Sequence, residues 1–246
     1  MDYRLWSDIP DRLSGRAEVV HFDQHGQVPW TAANGEFLAA ARRLAPDGGF
    51  HVVAAAGRAA RFAFALAEAG LAKGVVFFQP SLDSLPDDLD FSGLDFSGVD
   101  LDHALDPFQP LLSAVREEDP RSRDILLQVS RDTAGPDVDP AELELFLAMM
   151  SDHAEELFAD LRATDAAAAD GRIPPDPPWL ERPWIDRLPE LTVPVTVVAL
   201  RPYAEAIARR ARDAEIVVAR GSDSLASAED RARFTEALLR MLDRTG

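Results

Sequence analysis

His51-Val52-Val53-Ala54-Ala55-Ala56-Gly57-Arg58-Ala59-Ala60-Arg61-Phe62-Ala63-Phe64-Ala65-Leu66-Ala67-Glu68-Ala69-Gly70 is the stretch on which the fold turns. A short apolar run meets a tight turn of small residues, and a helical pattern follows at once and ends near Gly70. Leu71-Ala72-Lys73 then leads into a second apolar run, Gly74-Val75-Val76-Phe77-Phe78-Gln79-Pro80. Strand, turn, helix and strand in that order are the building block of a parallel sheet with helices packed on it.

Two chemistries use such a turn, and each asks for its own residues. A Gly-x-Ser-x-Gly nucleophile elbow needs small flanking residues because the backbone is pinched around a strained serine. Aligned on Ala54-Ala55-Ala56-Gly57-Arg58, that motif puts Ala56 at the nucleophile position. The dinucleotide fingerprint Gly-x-Gly-x-x-Gly would fall on Ala55 to Ala60, where only Gly57 matches a glycine. The acidic residue that should follow roughly 20 positions later to hold a ribose is missing, since Phe77, Phe78 and Gln79 stand there. The nucleotide reading is the weaker of the two, and a plain crossover without a site is the third.

Composition narrows the classes. The chain has 246 residues, 47% hydrophobic and 28% charged, enough apolar content for a proper core and far from a disordered composition. Its formal charge is −18, with 43 acids against 25 bases. Such a surface repels phosphate backbones, which argues against nucleic acid and anionic membranes as partners. Lys73 is the sole lysine, so the usual phosphate-binding P-loop is absent. The absence of cysteine removes disulfides, thiolate metal sites and thiol nucleophiles. No secretory signal pattern opens the chain and no apolar run reaches membrane-spanning length, so a cytoplasmic protein is expected, with no cofactor and no metal.

Around the central unit, Leu5–Leu13 reads as a short helix anchored by Trp6 and Ile9, and residues 17–23 (Ala17 to Asp23) read as a strand. The loop Gln24-His25-Gly26-Gln27-Val28-Pro29-Trp30 follows, then a helix over Phe37–Leu44 closed by Pro46-Asp47-Gly48-Gly49. Near the end, Leu188-Pro189-Glu190-Leu191-Thr192-Val193-Pro194 precedes the run Val195-Thr196-Val197-Val198-Ala199-Leu200. Ala214-Glu215-Ile216-Val217-Val218-Ala219 is a later run, followed by Arg220-Gly221-Ser222-Asp223-Ser224. Arg231–Leu242 then places Phe234, Leu238, Leu239 and Leu242 on one apolar helical face.

This order resembles the α/β-hydrolase family over about residues 5–80 and 188–246. Asp23-Gln24-His25-Gly26 is similar to that family's Asp-x-Arg-Gly loop, and the central unit to its elbow strand, helix and next strand. The Val-Pro entry at 193–194 and the segment from Ala214 to Ser224 resemble the strands that carry the family's acid and histidine. The resemblance implies a mostly parallel α/β sheet, with residues 1–80 and 188–246 as the core and 81–187 as a mostly helical cap. All three triad positions depart from the pattern: Ala56 at the nucleophile, Arg201-Pro202-Tyr203 where the acid belongs, and Ser222 or Asp223 where the histidine belongs. Serine attack needs a base and a group to orient it, so hydrolysis by that route is not expected. Met1-Asp2-Tyr3-Arg4 leaves no room for the family's early strands, and a third strand is missing between 17–23 and 51–56. A reduced sheet of about five strands is therefore expected, with homodimerisation through the shortened edge as one way to cover unpaired backbone groups.

The cap segment has another texture. Leu89-Asp90-Phe91-Ser92-Gly93, Leu94-Asp95-Phe96-Ser97-Gly98 and Val99-Asp100-Leu101-Asp102-His103 form a five-residue repeat similar to pentapeptide-repeat proteins, too short to stack alone. The carboxylates here suit a solvated acidic loop better than a calcium site, because no EF-hand spacing is present. Helices are expected at Pro107–Glu117, Pro120–Arg131 and Pro140–Arg162. In the last, Met149 and Met150 suit either core packing or an adaptable wall facing a ligand. Asp170–Pro189 reads as an extended proline-rich strap, with Trp179 and Trp184 either lining a pocket mouth or pinning the strap to the surface.

The resemblance implies an apolar small molecule bound between core and cap near the elbow. Ala55, Ala56, Gly57, Gln79, Met150 and Ser222 are the expected ligand-binding residues, and His25, Asp223 and Tyr203 the candidate catalytic groups. Arg58 is expected to pair with an acid such as Asp23, and a loop histidine such as His25 is more often simply exposed. Three functions stay open: a non-hydrolytic enzyme such as a cyclase or lyase of natural-product biosynthesis, a ligand-binding pseudoenzyme, and an interaction subunit using the acidic cap.

Overall fold

The computed structural model describes residues 9–20, 34–57, 59–80, 108–132, 140–155, 157–159, 161–162, 184–219 and 228–246. They divide between two compact units. One holds α1 (Ile9–Leu13), α2 (Asn34–Leu44), β1 (Val53–Gly57), α3 (Ala60–Glu68), β2 (Val75–Pro80), a 3-10 helix (Trp184–Glu190), β3 (Val195–Ala199), α7 (Arg201–Arg210), β4 (Ala214–Val218) and α8 (Ala228–Thr245). The other holds α4 (Gln109–Arg116), α5 (Ser122–Asp132) and α6 (Pro140–Asp152).

The sheet has four strands in the order β1-β2-β3-β4, every pair parallel. The two inner strands are continuous apolar runs: all of Val195–Ala199 is buried, as is Val75–Phe78. Strands covered on both faces have this composition. Val75 aligns with Val195 and Phe78 with Val198, while Val195 aligns with Ala214 and Ala199 with Val218.

Alternation along the strands sends side chains to two helical layers. Val75, Phe77, Val195, Val197 and Ala199 join a buried cluster with Phe64 of α3, Trp184, Ile185 and Leu188 of the 3-10 helix, and Ala204 and Ile207 of α7. Phe77 and Trp184 meet with ring centroids 5.1 Å apart. On the opposite face Phe78 stacks on Phe234 of α8 at 5.0 Å. α8 runs back along the sheet: Arg233, near its start, donates to Val218 O at the end of β4 (2.8 Å), and Arg244, near its end, pairs with Asp213 just before β4 (2.8 Å).

Helix α3 is the most enclosed of these elements. Its alanines and leucine favour a helix, and it has no β-branched residue; seven of its nine residues are buried. Phe62 reaches Phe37 of α2 (4.5 Å) while Phe64 faces Trp184 (6.2 Å). The helix stops where Gly70 turns left-handed (φ 69°) and Leu71 N–H donates back to Leu66 O, a glycine-dependent cap.

Three sequence expectations change here. Among the described residues the sheet has four strands rather than about five. Residues 17–20 are not a strand, and Val19 and Val20 are exposed; residues 21–23 lie outside the described part. Residues 184–189 belong not to an extended strap but to a 3-10 helix, and Trp184 is a core side chain, 3% exposed, not the wall of a pocket mouth. The repeat at 89–103 and Trp179 also lie outside the described residues.

In the helical unit, Leu111, Val115, Leu126, Ala154 and Phe158 form a buried cluster. The long helix expected over Pro140–Arg162 pauses in a turn at His153 before helical backbone resumes. α4 ends in a left-handed Glu118 (φ 53°), with Asp119 N–H donating to Ala114 O at 2.9 Å.

Candidate functional site

In a parallel sheet, ligands gather at the carboxyl ends of the strands, where turns to helices leave backbone groups and side chains facing one side. Here that end carries Gly57 of β1, Gln79 and Pro80 of β2, the Leu200–Tyr203 entry to α7, Ala219 after β4, and the first turn of α8.

The ends of β1 and β2 are irregular together. Ala56 aligns with Phe78 but Gly57 aligns with Pro80, so Gln79 is the extra residue of a bulge. Gln79 is left-handed at φ 41° and Gly57 at φ 53°. Glycine adopts this region freely, whereas a side chain with a Cβ pays about 1–2 kcal/mol. A bulge that re-aims a side chain, and strain held by the surrounding structure, both concentrate at functional sites.

The left-handed Gly57 also lies in the turn from strand to helix. The strand ends at Gly57, Ala59 N–H closes a turn onto Ala56 O (3.0 Å), and α3 starts at Ala60. Gly57 follows Ala56, the position aligned from sequence with a nucleophile. Neither residue supplies a hydroxyl or thiol.

The other expected site residues have different surroundings within their own units. Ala55 is 6% exposed and its methyl joins the cluster under α3, while Ala56 is half-buried beside the turn. Tyr203 lies in the first turn of α7, half-buried, its ring packed against the same cluster. Met150 sits in the helical unit and packs on the Leu111–Phe158 cluster. His25, Arg58, Ser222 and Asp223 lie outside the described residues.

Two residues that the sequence did not single out stand at the carboxyl end of β4. Asp230 is fully buried in the first turn of α8, 3.5 Å from Arg233. Arg233 also binds Glu229 (2.8 Å) and Val218 O, tying the helix to the strand end. Their i, i+3 spacing on an otherwise amphipathic helix was the one available signal, and it reads equally as a surface ion pair.

The helical unit carries a surface groove of about 470 Å³ lined by Asp119, Ser122, Arg123, Asp124, Glu155 and Arg162 among others. It is charged rather than apolar. Hydrogen bonds from Arg121 to the Asp119 carboxylate, at 2.8 Å from the guanidinium, hold that carboxyl at a pKa of about 2. Among the described residues no group of three or more His, Asp or Glu side chains could hold a metal ion, and no helix is long and apolar enough to cross a membrane.

No family model matches the chain, and no curated protein matches it. Solved structures do. An α/β hydrolase enzyme, MGS-M2, from a Medee basin deep-sea metagenome library aligns with a TM-score of 0.55 at 13% identity, over 100% of this chain and 86% of that one. A bacterial membrane phospholipase A described as a virulence factor aligns at 0.57 and 15%, over 99% and 76%. A thermophilic esterase from Thermogutta terrifontis aligns at 0.50 and 17%, over 100% and 86%. At these identities the likeness is one of fold: the chain has an α/β-hydrolase-like fold with helical insertions.

Proposed function

We propose that this protein is a non-hydrolytic member of its fold that binds an apolar small molecule at the carboxyl end of the sheet, beside Ala56, Gly57 and Gln79. The observation that carries the reading is the elbow itself. Its left-handed residue is Gly57, between Ala56 and Arg58, so neither Ala56 nor Gly57 at the turn's strand end carries a nucleophile. The bulge beside it holds Gln79 in a strained conformation, and such strain concentrates at functional sites.

With no nucleophile, the chemistry open to such a site is positioning. Holding one conformer of an apolar substrate near a few polar groups accelerates cyclisation or elimination without a covalent intermediate. Tyr203 and Asp223 are the side chains proposed to supply proton transfer, as in a cyclase or lyase of natural-product biosynthesis. No cofactor is needed for that chemistry.

The test is a pair of assays on the wild-type chain and on Ala56→Leu, the latter checked for an unchanged unfolding transition. The neutral dye N-phenyl-naphthylamine should bind the wild type saturably and Ala56→Leu at least tenfold more weakly. p-Nitrophenyl butyrate should not be turned over by either. Saturable ester hydrolysis, or dye binding indifferent to Ala56→Leu, would contradict the proposal.

A further inference from the structure

We propose that Lys73 is a site of acylation at Nζ, in which its amine attacks an activated acyl donor, an acyl phosphate or a thioester, with His51 as proton acceptor. Lys73 is the sole lysine of the chain, and the other 24 basic residues are arginines. A guanidinium stays protonated in proteins, whereas an amine that gives up its proton is a nucleophile. Lys73 therefore carries the only side-chain amine that can react in this way.

Its surroundings set it apart from the arginines. Lys73 Nζ lies 3.4 Å from His51 Nε2. Among the described residues no carboxylate pairs with it, in a chain with 43 acids against 25 bases. With the imidazole proton on Nδ1, Nε2 accepts from the ammonium. A carboxylate partner would hold an amine in its charged form, whereas an imidazole nitrogen can take up its proton. Both side chains are exposed, so a donor reaches the amine from solvent.

The sheet itself makes the pair. β1 and β2 run in parallel register with Val53 opposite Val75, and Phe50 bridges Ala72 at the same offset, which sets His51 opposite Lys73. The backbone is tied on both sides of them. Phe50 N–H donates to Leu71 O (2.8 Å), Lys73 N–H to Phe50 O (3.0 Å) and Val53 N–H to Gly74 O (2.9 Å). Gly49 permits this approach: it is left-handed at φ 82°, and a Cβ there would stand 2.8 Å from Leu71 O. The pair lies at the amino ends of the strands, away from Gly57 and Gln79 at the carboxyl ends.

In the step, His51 Nε2 takes one proton from the Lys73 ammonium, and the amine lone pair attacks the acyl carbon. The N–C bond forms, and the bond from that carbon to the phosphate oxygen or thioester sulfur breaks. The leaving group departs with the bonding pair and takes the proton that the new amide nitrogen sheds. Nothing is oxidised or reduced. The product is a neutral amide in place of the ammonium.

The test incubates the full chain, His51→Gln and Lys73→Arg with acetyl phosphate or with acetyl-CoA, folded and in guanidinium chloride, and reads acetylation by intact mass and peptide mapping. Glutamine keeps a hydrogen-bond acceptor beside the amine but no proton acceptor. Lys73 in the folded wild type should acetylate roughly tenfold faster than in the unfolded chain, and His51→Gln should lose that advantage. Lys73→Arg should carry no acetyl group beyond the N-terminal amine. The donor that reacts faster with the folded chain identifies the source as acyl phosphate or thioester. Equal folded and unfolded rates at Lys73 with both donors, or a folded rate unchanged in His51→Gln, would overturn the proposal.

Discussion

Gly57 and Gln79 stand at adjacent strand ends, one on each side of a bulge, and both are left-handed, with φ of 53° and 41°. The first is free to be so and the second is not. A residue kept in a strained backbone when glycine would relax it points to use of the side chain or of the altered strand direction. Replacing Gln79 by glycine should raise stability by about 1 kcal/mol, because the left-handed penalty disappears. The same change should weaken dye binding at least tenfold. Urea denaturation and dye titration of Gln79→Gly check both, and a stabilised variant with unchanged binding would make the bulge purely structural.

The contact between Phe77 and Trp184, at 5.1 Å, joins the middle of the sheet to the 3-10 helix that leads into β3. Trp184 is 3% exposed and also meets Phe64. Truncation leaves a large cavity, so Trp184→Ala should cost about 3–5 kcal/mol. Chemical denaturation should show the midpoint falling accordingly. A loss below about 1 kcal/mol would mean that the tryptophan is not part of the core.

Thr196 lies in β3, fully buried on the face toward α8, and its hydroxyl has no hydrogen-bond partner among the described residues. An unsatisfied buried hydroxyl costs roughly 1–3 kcal/mol, and valine has nearly the same shape. Thr196→Val should therefore stabilise the protein by about 1 kcal/mol, measured as a higher urea midpoint with an unchanged slope. Destabilisation would reveal a polar partner, such as a buried water.

In the helical unit, the Asp119 carboxyl is held at about 2, below its ordinary 3.8, chiefly by the Arg121 side chain and also by the Arg121 backbone N–H. A depressed carboxyl pKa stabilises the fold above the unfolded value and loses that contribution as pH falls toward the folded one. The turn between α4 and α5 should thus loosen only between about pH 4 and pH 2. Carbonyl-detected NMR titration should place the Asp119 midpoint near the lower end, and Arg121→Gln should move it up toward the ordinary range. An ordinary midpoint in the wild type would contradict the pairing.

What the sequence revealed and what it hid have physical causes. The unit β1–α3–β2 was legible because Val75–Phe78 is a fully apolar run and the alanine-rich helix ends at a glycine. The strand after Pro194 and the closing helix were legible for the same reason, since burial writes itself as unbroken or periodic apolarity. The bulge was not legible. Ala54, Ala55 and Ala56 are interchangeable in pattern, and the register shift between Ala56 and Gly57 depends on pairing with β2. Trp184 was misread because its prolines suggested extended chain, yet its ring lies against Phe77. Asp230 and Arg233 were invisible because i, i+3 acid and base pairs are common on exposed helices, whereas here the acid is buried at a strand end.

The most direct test of the central claim is native mass spectrometry of the protein purified from its own source, followed by the same spectrum after denaturation. The account predicts the chain mass plus a small organic molecule, lost on denaturation, as expected for a non-covalent guest in a site without a nucleophile. A bare chain with no bound molecule would contradict ligand binding, and an adduct that survives denaturation would contradict the absence of a nucleophile.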